Sequence, residues 1–187
     1  MAEKEGKLLL YCHAGCSFND IIKALDLRPD RTNDTPIITN TYDYTDPDGN
    51  LLYQVVRYHP KNFKQRRSDS SGSWIWDLKG ITPTLYHLPE VLRAIKEGKL
   101  IWIVEGEKDV DNLRKVGMAA TTISGGASTR WTPSLVPQFL SASVAIIPDN
   151  DDAGHKYAHY VANLLYGWCS SLKIIPLPPL NNPPPIV

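Results

Sequence analysis

The sequence predicts an α/β protein, with a mainly parallel sheet flanked by helices and a small β-rich α+β region ahead of it. Three observations predict this. Residues 100–104 form an apolar run short enough for a buried strand, which ends at Glu105 and gives way to a helix-like pattern. Residues 144–148 repeat the arrangement and end at Asp149. Upstream, residues 39–44 and 51–58 alternate around Asp46-Pro47-Asp48-Gly49-Asn50, a strong turn signal, and read as a β-hairpin.

Taken in order, the chain begins with an apolar stretch and the phrase Cys12-His13-Ala14-Gly15-Cys16-Ser17, in which Ser17 is placed to cap a short amphipathic helix from Phe18. Residues 28–36 cluster Pro, Asp, Asn and Thr and read as a linker. The hairpin opens into a basic stretch, a polar tip at 68–73, and a returning strand Trp74-Ile75-Trp76 whose indoles are expected in the core. A helix over 89–98 starts with proline, tolerated in a first turn, and stops at Gly98. After the strand at 100–104, a second helix turns Val110, Leu113 and Val116 inward and stops at Gly117. A short strand at 119–123 runs into Ser124-Gly125-Gly126-Ala127-Ser128, where the glycines either admit a phosphate to the backbone or simply turn the chain. A helix over 133–140, a strand at 143–148 and a helix over 153–166 follow, the last burying Tyr157, Ala158, Val161, Ala162 and Leu165. Cys169 reads as a packing residue, 173–177 as a last strand, and the proline-rich 179–187 as a segment that cannot continue a fold.

At 187 residues the chain is long enough to bury a sizeable core in one or two domains. Twenty basic and 20 acidic residues give zero formal net charge, so any attraction for nucleic acid must be local. No apolar run approaches 18 residues and no signal-peptide pattern occurs, which predicts a soluble, cytoplasmic protein with no membrane partner. Three cysteines argue against a disulfide framework.

In an open parallel sheet the ligand crevice lies beyond the carboxyl ends of the strands, so Glu105, Asp149 and Asp151 are delivered to one rim. Carboxylates about 4 Å apart repel by roughly 1 kcal/mol in water and roughly 4 kcal/mol near a protein surface. A hard divalent cation offsets this, and Mg²⁺ (or Mn²⁺) suits carboxylates, waters and substrate phosphates. An acidic sheet end without histidine therefore points to Mg²⁺-dependent phosphoryl transfer or phosphodiester chemistry. The bland alternative is that Asp151 or Asp152 caps a helix and that Asp109 merely favours the first turn of its own. Glu105 and Asp149 have no such reason to follow directly on apolar runs.

The stretch from Arg57 to Arg67 carries five cations, Arg57, Lys61, Lys64, Arg66 and Arg67, with aromatic residues between them and no acid. That composition suits single-stranded nucleic acid, where cations track phosphates and rings stack on bases, and it competes with an ordinary solvated loop. Cys12, His13 and Cys16 look like half of a zinc site, because a structural zinc needs four ligands.

Val104-Glu105-Gly106-Glu107-Lys108-Asp109 and Ile147-Pro148-Asp149-Asn150-Asp151-Asp152-Ala153-Gly154 resemble the two signature motifs of the Toprim domain, shared by bacterial-type primases, topoisomerases, repair proteins and nucleases. The hairpin, the basic strand, Gly72-Ser73-Trp74-Ile75-Trp76 and Leu85-Tyr86-His87-Leu88-Pro89-Glu90 resemble the region ahead of Toprim in DNA primases of phages and mobile elements. The resemblance implies four segments: a zinc-module remnant and short helix at 1–30, a basic nucleic-acid-binding region at 37–84, a Rossmann-like Toprim domain at 85–178 and a tail at 179–187. It further implies a nucleotidyltransferase that makes primers on single-stranded DNA from nucleoside triphosphates, with Glu105, Asp149 and Asp151 catalytic, those three and Asp109 on Mg²⁺ or Mn²⁺, and a replicative helicase as partner. Zn²⁺ is expected only where the other half of its ligands is present, and the chain is expected to be a fragment. A Toprim nuclease using the same acids, or a non-catalytic nucleic-acid-binding fragment, are the alternatives.

Overall fold

The computed structural model describes residues 2–4, 7–9, 14–25, 35–125 and 129–178. The chain divides into two compact units, 1–37 and 38–187. In the first, β1 (Ala2–Lys4) and β2 (Lys7–Leu9) pair antiparallel, and α1 (Phe18–Ala24) starts at Ser17, whose hydroxyl accepts the Asp20 N–H at 3.3 Å. The expected linker over 28–36 lies largely outside the described residues, as do Gly126–Ser128 and the tail from 179.

The second unit contains two four-stranded sheets. The antiparallel one runs in the order β3 (Ile37–Thr45), β4 (Leu51–His59), β5 (Asn62–Ser68), β6 (Trp74–Ile75). Asp46 makes the first turn by accepting the N–H groups of Asp48 and Asn50 at 2.9 and 2.8 Å, with Gly49 at φ 90°. The basic stretch is thus not one extension of β4. It folds back after His59, and Arg57 pairs with Phe63 while Gln54 pairs with Arg66.

The second sheet is all parallel, ordered β10 (Ser171–Ile174), β9 (Ser143–Ile146), β7 (Leu100–Ile103), β8 (Ala119–Thr121). Its strands alternate between two cores because successive side chains leave opposite faces. Ile101, Ile103, Val144 and Ile146 pack with α2 (Leu88–Lys96), α4 (Asp152–Leu165) and a 3₁₀ helix (Pro133–Phe139). Trp102, Val104 and Ile147 pack on the other face with Val110 of α3 (Glu107–Lys115) and with Tyr42, Tyr44, Tyr53 and Val55 of the antiparallel sheet.

Several details depart from the sequence-based expectation. The 133–140 helix is 3₁₀, and Pro137 inside it lacks the N–H an α-helix would use. Val116 is 70% exposed rather than inward, since α3 ends one residue earlier. Trp74 and Trp76 are not core residues, at 38% and 48% exposure. The short β6 leaves their rings under cations of β5 instead: Arg66 lies 4.0 Å from the Trp74 ring centre and 5.4 Å from that of Trp76. Cys169 packs against the larger core as expected, and burial pushes its thiol up.

Candidate active site

Strands β7 and β9 are neighbours in parallel register, with Ile103 opposite Ile146, so the residues that follow them arrive together. The pairing extends one step through the Ile147 N–H, which donates to the Ile103 carbonyl at 2.9 Å. Beyond it the Asp149 N–H donates to Glu105 Oε1 at 3.2 Å, and the Thr122 hydroxyl donates to the Glu105 carbonyl at 3.0 Å. Asp151 is the N-cap of α4, its Oδ1 accepting the Gly154 N–H at 2.7 Å. Asp109 sits in the first turn of α3.

Gly154 permits this arrangement. A Cβ there would lie 2.5 Å from both Glu105 Oε1 and the Asp149 carbonyl and 2.8 Å from the Asp149 nitrogen, closer than side-chain carbons approach. The first turn of α4 therefore presses directly on both strand ends.

The carboxylates sense one another. Burial holds the Glu105 carboxyl above the usual range, and the charges of Asp149, Asp151 and Asp109 push it further, against the pull of the Asp149 N–H. Asp149 is raised by burial and by Asp109 and Asp151, while the Lys61 ammonium lowers it. Among the described residues, no three His, Cys, Asp or Glu side chains form a ready-made cation cage. The four acids are instead hard oxygen donors around an open rim. Such a rim fits Mg²⁺, which keeps several waters and takes one or two carboxylates together with substrate phosphates.

The other expected site residues divide. By the β4–β5 register and strand alternation, Arg57 and Arg67 share a face with Val55, Phe63 and Gln65, whereas Lys64 and Arg66 lie on the opposite face with Gln54. Val55, Phe63 and Gln65 line a cavity of about 440 Å³ with Glu105, Gly106 and Glu107, so one face of the basic sheet looks onto the acidic rim. Arg67 pairs with Asp77 at 3.2 Å. Lys64 lies 5.7 and 5.9 Å from the Tyr58 and Trp76 ring centres. Cys16 is exposed in the segment before α1, and Cys12 and His13 lie outside the described residues.

Glu107 escaped the sequence reading. It is buried, 7% exposed, and accepts the Tyr44 hydroxyl at 2.9 Å; Tyr44 stacks on Tyr53, whose hydroxyl meets Ser124 at 3.2 Å. These contacts join the two sheets, and the second carboxylate of Glu105-Gly106-Glu107 gave no sign of a partner 63 residues away. Burial raises the Glu107 carboxyl, partly offset by hydrogen bonds from its own N–H and from Tyr44. Its folded pKa lies above its unfolded one, so the folded chain holds the proton to higher pH, and stability falls as pH rises from the ordinary carboxylate range through the raised value. Glu107→Gln is therefore expected to melt close to wild type at a pH of about 4 and higher than wild type at a pH of about 7.5. Thermal melts at the two pH values check this, and a constant difference between them would refute it.

No family profile matches the chain, and no curated protein matches it. Among solved structures, the primase fragment of the bacteriophage T7 primase-helicase protein matches with a TM-score of 0.51 at 26% identity, over 74% of this chain and 52% of that one. The Aquifex aeolicus primase, comprising zinc-binding and RNA polymerase domains, matches with a TM-score of 0.55 at 22% identity, over 86% of this chain and 42% of that one. A structure of T7 lagging-strand DNA polymerase interacting with primase domains bound to an RNA/DNA hybrid and dTTP contains a chain matching at 0.47 and 23%, over 74% of this chain and 65% of that one. The chain thus spans about half the length of the T7 fragment. No helix among the described residues is long and apolar enough to cross a membrane. With an antiparallel sheet ahead of a Toprim-like parallel sheet flanked by helices, the chain is similar in fold to phage and bacterial primases.

Proposed function

We propose that this chain is the catalytic core of a DNA primase that makes primers on single-stranded DNA in phage or mobile-element replication. The observation that carries the proposal is geometric: beyond the paired strands β7 and β9 the Asp149 N–H meets Glu105, Asp151 caps the helix that follows, and Asp109 lines a cavity with Asp149. The likeness to the T7 primase fragment supports it, and that fragment's origin in a primase-helicase supports a replicative helicase as partner.

Asp149, Asp151, Asp109 and Glu105 would hold Mg²⁺ or Mn²⁺, which when bound supplies the positive charge that nucleotide phosphates need at such a rim. The chain's own groups do the rest. The cavity between Phe63, Gln65 and Glu105 admits the nucleotide and the primer end. There the primer 3′ oxygen bonds to the nucleotide's first phosphorus, the bond to the next phosphate breaks, and pyrophosphate leaves. Glu105, which borders that cavity and accepts the Asp149 N–H, either joins the ligands of the cation or accepts the hydroxyl proton. Arg57 and Lys61, which line a neighbouring cavity, would hold the template.

One gel tests the proposal. Labelled nucleoside triphosphates, unlabelled single-stranded template and protein are incubated with Mg²⁺ or Mn²⁺, with and without chelator. Template-dependent oligomers that vanish with chelator are expected. Shortened template without any need for nucleotide would overturn the proposal in favour of phosphodiester cleavage.

A further inference from the structure

A second cavity, of about 390 Å³, opens between α3 and the β3–β4 edge of the antiparallel sheet. Arg57, Lys61, Lys108 and Lys115 line it, and Asp111 is the one carboxylate among its described lining residues. That carboxylate is already engaged, accepting the Tyr86 hydroxyl at 3.1 Å and meeting His87 Nε2 at 3.3 Å. Among the described residues, none of the four cations lies in an ion pair. Arg57 is held by the Tyr42 hydroxyl and by the Phe63 ring, 5.6 Å away, and its nearest opposing charge is the buried Glu107 carboxyl, which is outside the cavity lining. Four cations around one concavity repel one another, and a neutral chain that concentrates them here presents a local site for a polyanion.

The layout selects which polyanion. Lys108, Asn112 and Lys115 follow an i, i+4, i+7 stripe on α3, so the two lysines stand about 10 Å apart along the axis. Asn112 lines both this cavity and a neighbouring one that reaches Asp109 and Asp149, whereas Lys115 belongs to the last turn of α3, away from the rim. The cations therefore lead away from the acids. A triphosphate held at the carboxylates would not extend along this line, and a strand with repeated phosphates would.

We propose that this cavity is a backbone subsite for single-stranded nucleic acid, in which Lys108 and Lys115 each hold a phosphodiester of a strand that passes Asp149. The proposal rests on the primase reading only for the course of the strand, since binding needs no catalysis.

Fluorescence anisotropy of a labelled oligothymidylate tests it across a range of salt concentrations, with the whole chain as wild type, as Lys108→Gln/Lys115→Gln, and as Lys99→Gln. Lys99 pairs with Glu97 before β7, outside the cavity lining, and controls for the loss of a lysine charge elsewhere on the surface. The double variant is expected to bind roughly tenfold more weakly at about 50 mM salt, with the slope of log affinity against log salt reduced by about 1.4, two contacts at about 0.7 each. Lys99→Gln is expected to bind like wild type. Lys108 and Lys115 are both exposed, and unchanged melting confirms that the fold is kept.

An unchanged slope and affinity in the double variant would overturn the subsite, as would a wild type that fails to bind the oligonucleotide. Loss of affinity for labelled ATP with oligonucleotide binding intact would assign the cavity to the nucleotide and also overturn it. Binding that depends on the two lysines in a protein that makes no primers would overturn the primase proposal and leave the subsite standing.

Discussion

Asp149→Asn is expected to lower primer synthesis by roughly a thousandfold, which corresponds to about 4 kcal/mol of lost transition-state charge stabilisation. Asp149 follows β9 at the rim, with its N–H already committed to Glu105 and its carboxyl raised by burial, Asp109 and Asp151. Asparagine has the same shape and keeps the backbone bond, but it removes a charge that a cation would need. Because it also relieves repulsion among the acids, thermal stability should stay level or rise slightly. Oligomer yield and melting temperature, measured on the same preparation, check both halves. Synthesis within about tenfold of wild type would remove Asp149 from the proposed machinery.

Gly154→Ala should be comparably damaging through packing rather than charge. The new methyl group would lie 2.5 Å from the Asp149 carbonyl, and that backbone cannot swing aside as a side-chain tip can. Either the first turn of α4 lifts, which breaks the 2.7 Å cap from Gly154 to Asp151, or the end of β9 moves and carries Asp149 with it. Overpacking of this kind costs about 1–3 kcal/mol, and a lost cap about 1 kcal/mol more. For a chain of this size the melting temperature should fall by roughly 5–10 °C, with primer synthesis near that of Asp149→Asn. Gly106→Ala provides the contrast. Its Cβ would stand 3.2 Å from Asp109 Oδ2, the movable end of a side chain, so a smaller loss is expected. Equal losses in the two variants would show that the close approach at Gly154 is not what organises the rim.

Much of this was written locally in the chain. The runs before Glu105 and Asp149 are each short, apolar and followed by a helical period, so strand, turn and helix could be read without tertiary information, and parallel pairing placed both acids on one rim. The hairpin was equally legible, because Asp46 and Gly49 carry the turn chemistry themselves. Asp151 was left open between cap and site, and the structure shows that it is a cap as well as a neighbour of Glu105.

The basic stretch shows where local reading stops. Five cations in 11 residues read as one surface, yet β4 and β5 fold back on each other and strand alternation sends Arg57 and Lys64 to opposite faces. The tryptophans of 74–76 have core composition, but β6 pairs over only two residues at the end of the sheet order, and cations of β5 cover them instead. Glu107 looked like its neighbours in the motif, and only Tyr44 of a separate sheet made it a buried carboxylate. Lys108 and Lys115 likewise look like ordinary solvated helix residues until the β3–β4 edge stands opposite them. What the sequence determined by itself is what depends on neighbours within a few residues: strands, caps, turns and the paired acidic strand ends. Which side chains from distant segments share a face emerges only in the folded chain, because burial and charge at those positions are set by contacts that close dozens of residues apart.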